Sequence, residues 1–110
     1  MRVKLVTANS WKPKRVITFD NLPVTIGRSP DAGVCIDDPW ADPHHCEIDE
    51  AANRTLVIRD LNSVSGTLVQ GYRITEALLM PGNELTIGGT RFVVQYERRM
   101  TRFPAGVDGE

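Results

Sequence analysis

The chain has 110 residues, with thirteen Lys and Arg against fourteen Asp and Glu, a formal charge of -1. This length suits one domain that buries roughly two thirds of its unfolded surface. The charge excludes a global field drawing the chain to nucleic acid or an anionic membrane, so any anion recognition has to be local.

The predicted elements begin with a strand over Val3 to Thr7, whose alternation in Met1-Arg2-Val3-Lys4-Leu5-Val6 is unlike a secretory leader. A basic, Pro-containing hairpin follows from Asn9 to Arg15, with Trp11 read as a partial anchor. Further strands are predicted over Arg15 to Phe19, Val24 to Gly27, Val34 to Ile36, Cys46 to Asp49, Thr55 to Arg59, Thr67 to Val69, Glu84 to Ile87 and Thr90 to Tyr96. Turn chemistry separates them at Asp31-Ala32-Gly33, Ala52-Asn53-Arg54, Gln70-Gly71, Met80-Pro81-Gly82-Asn83 and Gly88-Gly89. Regular short strands with such turns and no helical period predict an all-β, antiparallel β-sandwich. The sandwich is expected over residues 1–97, with 98–110 as a C-terminal linker or tail. No apolar run reaches bilayer-spanning length, and the expectation is a soluble, cytoplasmic chain. Cys35 and Cys46 are too few for a disulfide framework and read as buried free thiols.

Two blocks carry the local chemistry: Gly27-Arg28-Ser29 after one strand and Asp60-Leu61-Asn62-Ser63-Val64-Ser65-Gly66-Thr67 after another, with Ala41-Asp42-Pro43-His44-His45-Cys46-Glu47-Ile48 between them. Glycines and small polar residues in tight loops hold one arginine near hydroxyl and backbone donors, the makings of a small anion site on a β scaffold.

In order and spacing these blocks resemble the forkhead-associated (FHA) domain, a phosphothreonine-reading interaction module, over nearly everything from Val3 to Tyr96. Gly27-Arg28, His45 with Ile48, Asp60-Leu61 with Ser63, Gly66-Thr67, Gly71 and Pro81-Gly82-Asn83-Glu84-Leu85 with Ile87-Gly88 carry the likeness. The resemblance implies a β-sandwich and a phosphopeptide or other partner-binding surface at Arg28, Ser29, Asp42, His44, Val64, Ser65 and the turn Gln70 to Arg73. It gives His45 a structural role between loops, and it implies no cofactor. Gly27, Asp60, Ser63, Gly66 and Thr67 are read as loop-structural, with side chains that staple tight turns.

The site departs from the family pattern. The phosphate-binding arginine corresponds to Arg28, but the serine position is Asp42, the arginine after it Pro43, the hydroxyl position Val64 and the asparagine Ser65. An ionised Asp42 only accepts hydrogen bonds and sets negative charge beside a phosphate of about -1.5 to -2. One expectation is that Asp42 pairs with Arg28 and closes the pocket from within; the other is that both are ordinary solvated loop charges.

Other chemistry is weaker. His45 and Cys46 are neighbours on a strand and point to opposite faces, which argues against a metal site with His44 and Cys35. Ser63 or Ser65 with His45 and Asp60 supplies the residue types for nucleophilic catalysis without an activated turn, so no enzyme is expected. Arg98, Arg99 and Arg102 read as a solvated linker rather than a nucleic-acid contact. The reading is a module that recognises a protein or peptide partner through its loops, phosphorylated on threonine or not. The alternative is a structural or self-association domain that docks through a sheet face as a homo-oligomer or against the rest of a longer protein.

Overall fold

Alternation along Thr90-Arg91-Phe92-Val93-Val94-Gln95-Tyr96 buries Thr90, Phe92, Val94 and Tyr96 on one face and leaves Arg91 and Gln95 on the other. That period of two is what a half-buried strand requires. The same pattern recurs in a computed structural model of the protein that describes residues 1–98. Its strands are β1 (Val3–Thr7), β2 (Val16–Phe19), β3 (Val24–Gly27), β4 (Val34–Cys35), β5 (Cys46–Glu50), β6 (Leu56–Asp60), β7 (Thr67–Val69), β8 (Tyr72–Ile74), β9 (Glu76–Leu79), β10 (Glu84–Ile87) and β11 (Thr90–Tyr96).

The strands form two sheets, one ordered β2-β1-β11-β10-β7-β8 and the other β4-β3-β5-β6-β9. Between them lies a core that includes Leu5, Ile26, Ile48, Leu56, Ile58, Leu79, Leu85, Ile87, Phe92 and Val94. Fully burying such a side chain contributes about 1.5–3 kcal/mol, so this interior dominates the stabilisation. Tyr96 fastens one sheet to the other: its hydroxyl donates to the Leu79 carbonyl and accepts from the Leu56 N–H at 3.2 Å.

The predicted all-β sandwich is present, with four differences. Two strands went unpredicted, β8 and β9, which are the outermost strands of their sheets. In β8 Tyr72 and Arg73 are exposed, and in β9 the outward Leu78 is as apolar as the inward Ala77 and Leu79, so the alternation that marks a strand does not show in the sequence. The β3–β4 pair is parallel over two residues, Ile26 opposite Val34 and Gly27 opposite Cys35, where only antiparallel pairing was expected. Cys35 is exposed rather than buried, its Sγ donating to the Arg28 carbonyl at 3.4 Å, because it lies on the outward side of an edge strand. Trp11 is 71 % exposed and touches the Lys12 ammonium, 5.3 Å from the ring centroid, so it anchors little. The tail reading falls, from residue 99 onward, outside the described residues. Among the described residues no helix is long and apolar enough to cross a membrane.

Candidate functional site

The strand directions bring three loops to one end of the sandwich. The β3–β4 loop carries Arg28 and Ser29, the β4–β5 loop runs to His45, and the β6–β7 loop holds Leu61 to Gly66. Gly27 makes the first two meet. A Cβ there would lie 2.0 Å from the Pro43 carbonyl oxygen, so only glycine admits the β4–β5 backbone at this distance. Across that contact the Arg28 N–H donates to the Asp42 carbonyl (2.9 Å) and the Ser29 N–H to that of Pro43 (3.1 Å).

His45 is fully buried behind them. Its Nδ1 accepts from the Asp42 N–H (3.0 Å), and its Nε2, which therefore carries the proton, donates to the Gly66 carbonyl (2.8 Å). Two further bonds cross the same gap: the Val64 N–H donates to Asp42 Oδ2 (3.2 Å), and the Ser65 hydroxyl donates to the Trp40 carbonyl (3.1 Å). The β4–β5 and β6–β7 loops are thus clamped by side chains at three points, each contributing about 1 kcal/mol net.

Asp60 supports this clamp from below. It accepts from the Ser63 N–H (3.1 Å), the Ser63 hydroxyl and the Thr67 hydroxyl (2.7 Å), which makes Asp60, Ser63 and Thr67 one staple. Burial alone would raise its pKa, but the bonds from Ser63 and Thr67 favour the anion more strongly and hold the carboxyl below 3.8. Asp38 does the same for the β10–β11 turn. It accepts from the Trp40 N–H (2.8 Å), the Gly89 N–H (2.9 Å) and the Thr90 hydroxyl (2.6 Å). Burial is again outweighed, here by Thr90, Trp40 and Gly89, and its pKa is also lowered.

On this frame Arg28 is exposed, with Nε donating to the Ala41 carbonyl at 2.9 Å. That bond fixes the guanidinium plane and leaves its terminal nitrogens without an ion pair, since the ion pairs among the described residues join Arg59 to Glu47 and Glu76. The closing of the pocket by an Arg28–Asp42 pair does not occur. Asp42, half-buried, gives its carboxylate to the Val64 N–H, the nearer donor once His45 has pulled the two loops together. Ser29 is half-buried and its Oγ accepts from the Asp31 N–H at 3.1 Å. Val64 is 85 % exposed, an apolar knob where a hydroxyl was sought. Ser65 is exposed but spends its proton on Trp40. His44 points elsewhere: it is exposed and lines a groove of about 610 Å³ with Asp31, Gly33 and residues of β2 and β3.

Two residues join the loop surface. Trp40 is 71 % exposed beside Gly89, and its signal in the sequence was an aromatic in the polar, proline-flanked run Asp38-Pro39-Trp40-Ala41-Asp42-Pro43. Arg73, within the turn singled out from sequence, lays its guanidinium across Gly66, with Nη2 donating to the Ser63 carbonyl at 3.5 Å. The loop surface thus carries the cations Arg28 and Arg73, the carboxylates of Asp42 and Asp31, and apolar side chains at Trp40 and Val64.

An eleven-stranded sandwich with an arginine at the end of β3 and a buried histidine joining the next loops defines a recognisable class. The FHA domain profile matches residues 24–88, and the chain belongs to the FHA domain family. It is 39 % identical over 70 residues to the ABC transporter ATP-binding/permease protein Rv1747 of Mycobacterium tuberculosis, a match covering 64 % of this chain and 8 % of that protein. Over 75 residues it is 33 % identical to the FHA domain-containing protein FhaB of Mycolicibacterium smegmatis, covering 67 % of this chain and 48 % of that one. The chain therefore matches less than half the length of either relative. Among solved structures, one of phosphothreonine-dependent FHA domain interactions superposes with a TM-score of 0.76 at 25 % identity, over 88 % of this chain and 98 % of that chain.

Proposed function

We propose that this domain is a non-enzymatic interaction module of the cytoplasm that binds an extended segment of a partner protein across its three clamped loops. Arg28, with Arg73 beside the β6–β7 loop, engages an acidic group of the partner, and Trp40 and Val64 supply apolar contact. The observation that carries this reading is the Arg28 guanidinium, tethered through Nε to the Ala41 carbonyl and exposed at its other end. The family relationship and the similarity to a structure of phosphothreonine-dependent interactions support the same surface.

The Asp42 carboxylate shapes what that acidic group is. A dianionic phosphate near Asp42 meets repulsion of about 4 kcal/mol per unit charge at 4 Å and a surface-like dielectric, and neither Val64 nor Ser65 offers a free side-chain donor to offset it. A carboxylate or other singly charged group suffers less, so the proposed partner is unphosphorylated at this point. Catalysis is disfavoured by the same bonds that build the loops: both His45 ring nitrogens are committed to backbone, and the Ser63 hydroxyl is committed to Asp60.

Peptide arrays displaying phosphorylated and unmodified acidic segments test this. A subset of unmodified acidic peptides whose binding is lost with Arg28→Ala and weakens with salt supports the proposal. An array in which no peptide loses binding with Arg28→Ala contradicts it.

A further inference from the structure

We propose a second binding site at the end of the sandwich opposite the loops: a basic groove formed by Arg2, Lys4 and Arg54 that takes a carboxylate-rich segment of a partner polypeptide. β5 and β11 both run away from the recognition loops, so the β5–β6 turn lies at the far end, where Val3 of β1 pairs with Tyr96 of β11. There a groove of about 600 Å³ is lined by Arg2, Lys4, Arg54, Gln95, Tyr96 and Glu97. Arg2 precedes β1, Lys4 lies on the outward face of β1, and Arg54 comes from the β5–β6 turn. Separate pieces of backbone therefore bring three cations to one concavity against a single lining acid, Glu97. None of the three cations is in an ion pair among the described residues, where the pairs are confined to Arg59.

The backbone at Arg54 is an independent observation. Asn53 (φ 61°) and Arg54 (φ 55°) are both left-handed, in a two-residue turn closed by the Thr55 N–H on the Ala52 carbonyl (3.3 Å). Turns of this kind favour Asn followed by Gly, because a Cβ at the second position crowds the backbone. Asn53 fits that preference; Arg54 does not. A long cationic side chain in a position made for glycine does nothing for the turn, and its use lies in the groove it lines.

The occupant follows from the shape and charge. Guanidinium groups receive carboxylates through paired N–H donors, and cations spaced on different elements suit successive acidic side chains of one extended chain. An anionic membrane instead engages a dense basic cluster on a broad surface, whereas here the cations line a concavity and the net charge is -1.

The full chain is titrated with a fluorescent polyglutamate peptide, with polyglutamine as the neutral control and phosphatidylserine vesicles as the membrane arm. The expected result is salt-sensitive polyglutamate binding that Arg54→Gly weakens by about fivefold while the thermal midpoint stays level or rises. Arg2→Gln combined with Lys4→Gln weakens it at least as much. The binding persists in an Arg28→Ala background, which separates this site from the loop surface whatever the fate of that reading. Polyglutamate affinity insensitive to both groove variants, binding that vanishes with Arg28→Ala, or vesicle binding in place of peptide binding overturns the proposal.

Discussion

The backbone N–H of Val64 donates to the carboxylate of Asp42 at 3.2 Å, and this bond, not an ion pair with Arg28, decides where the Asp42 charge sits. Donor and acceptor satisfy each other across two loops. The anion seat therefore keeps its arginine, while one backbone donor and the position of a hydroxyl are taken up in joining the loops. Asp42 is a clamp between the loops, and under the proposed function it is also an electrostatic filter.

His45 is the keystone of that clamp. Replacing it with Ala opens a fully buried cavity and strands the Asp42 N–H and the Gly66 carbonyl. A loss of about 3 kcal/mol is expected, read from urea denaturation, with faster amide exchange at Val64 and Ser65 than in β11.

Acid should unfold the domain through Asp38 and Asp60. Both have folded pKa values below 3.8, so the unfolded state binds more protons at low pH. Their stabilisation is fully present above the unfolded pKa and drains away as pH falls through the folded values. Asp60→Asn is expected to cost about 1–3 kcal/mol near neutral pH and to flatten the loss of stability below pH 4, measured as melting temperature against pH. An unchanged acid limb in both Asp38→Asn and Asp60→Asn contradicts this.

The two cysteines should differ sharply. Burial pushes the Cys46 thiol up to about 12, whereas Cys35 is exposed at the sheet edge. A thiol-reactive chromophore is expected to titrate one thiol in the native state and the second only on unfolding, with Cys35→Ser removing the fast phase.

How much of this was legible in the sequence depends on burial. Strands with a buried face, such as β1, β3, β10 and β11, were predicted to the residue because alternation and turn chemistry agree there. β8 was missed because Tyr72 and Arg73 are exposed, and β9 because its outward Leu78 is as apolar as its inward Ala77 and Leu79, which hides the period of two. Gln70 and Gly71, both at positive φ, form the two-residue turn that was read from the sequence without the strand it leads into. Arg28, Ser29, Asp42, Val64 and Ser65 lie on the three loops, His44 lines a separate groove, and the hydrogen bonds that Asp42 and Ser65 make were not legible in the sequence. The choice of Val64 over Arg28 by Asp42 rests on how closely the loops approach, which Gly27 and His45 set through contacts far apart in the chain. Trp40 was passed over because an exposed aromatic in a loop has no periodic pattern to reveal it.

The most direct test of Asp42 as the filter is a fluorescence-anisotropy titration of the domain and its Asp42→Ser variant with a phosphothreonine peptide library and its unphosphorylated counterpart. The unaltered domain is expected to show no preference for phosphate, and Asp42→Ser to gain at least about tenfold in phosphate-dependent affinity. Strong phosphate-dependent binding by the unaltered domain, unchanged in Asp42→Ser, would contradict it.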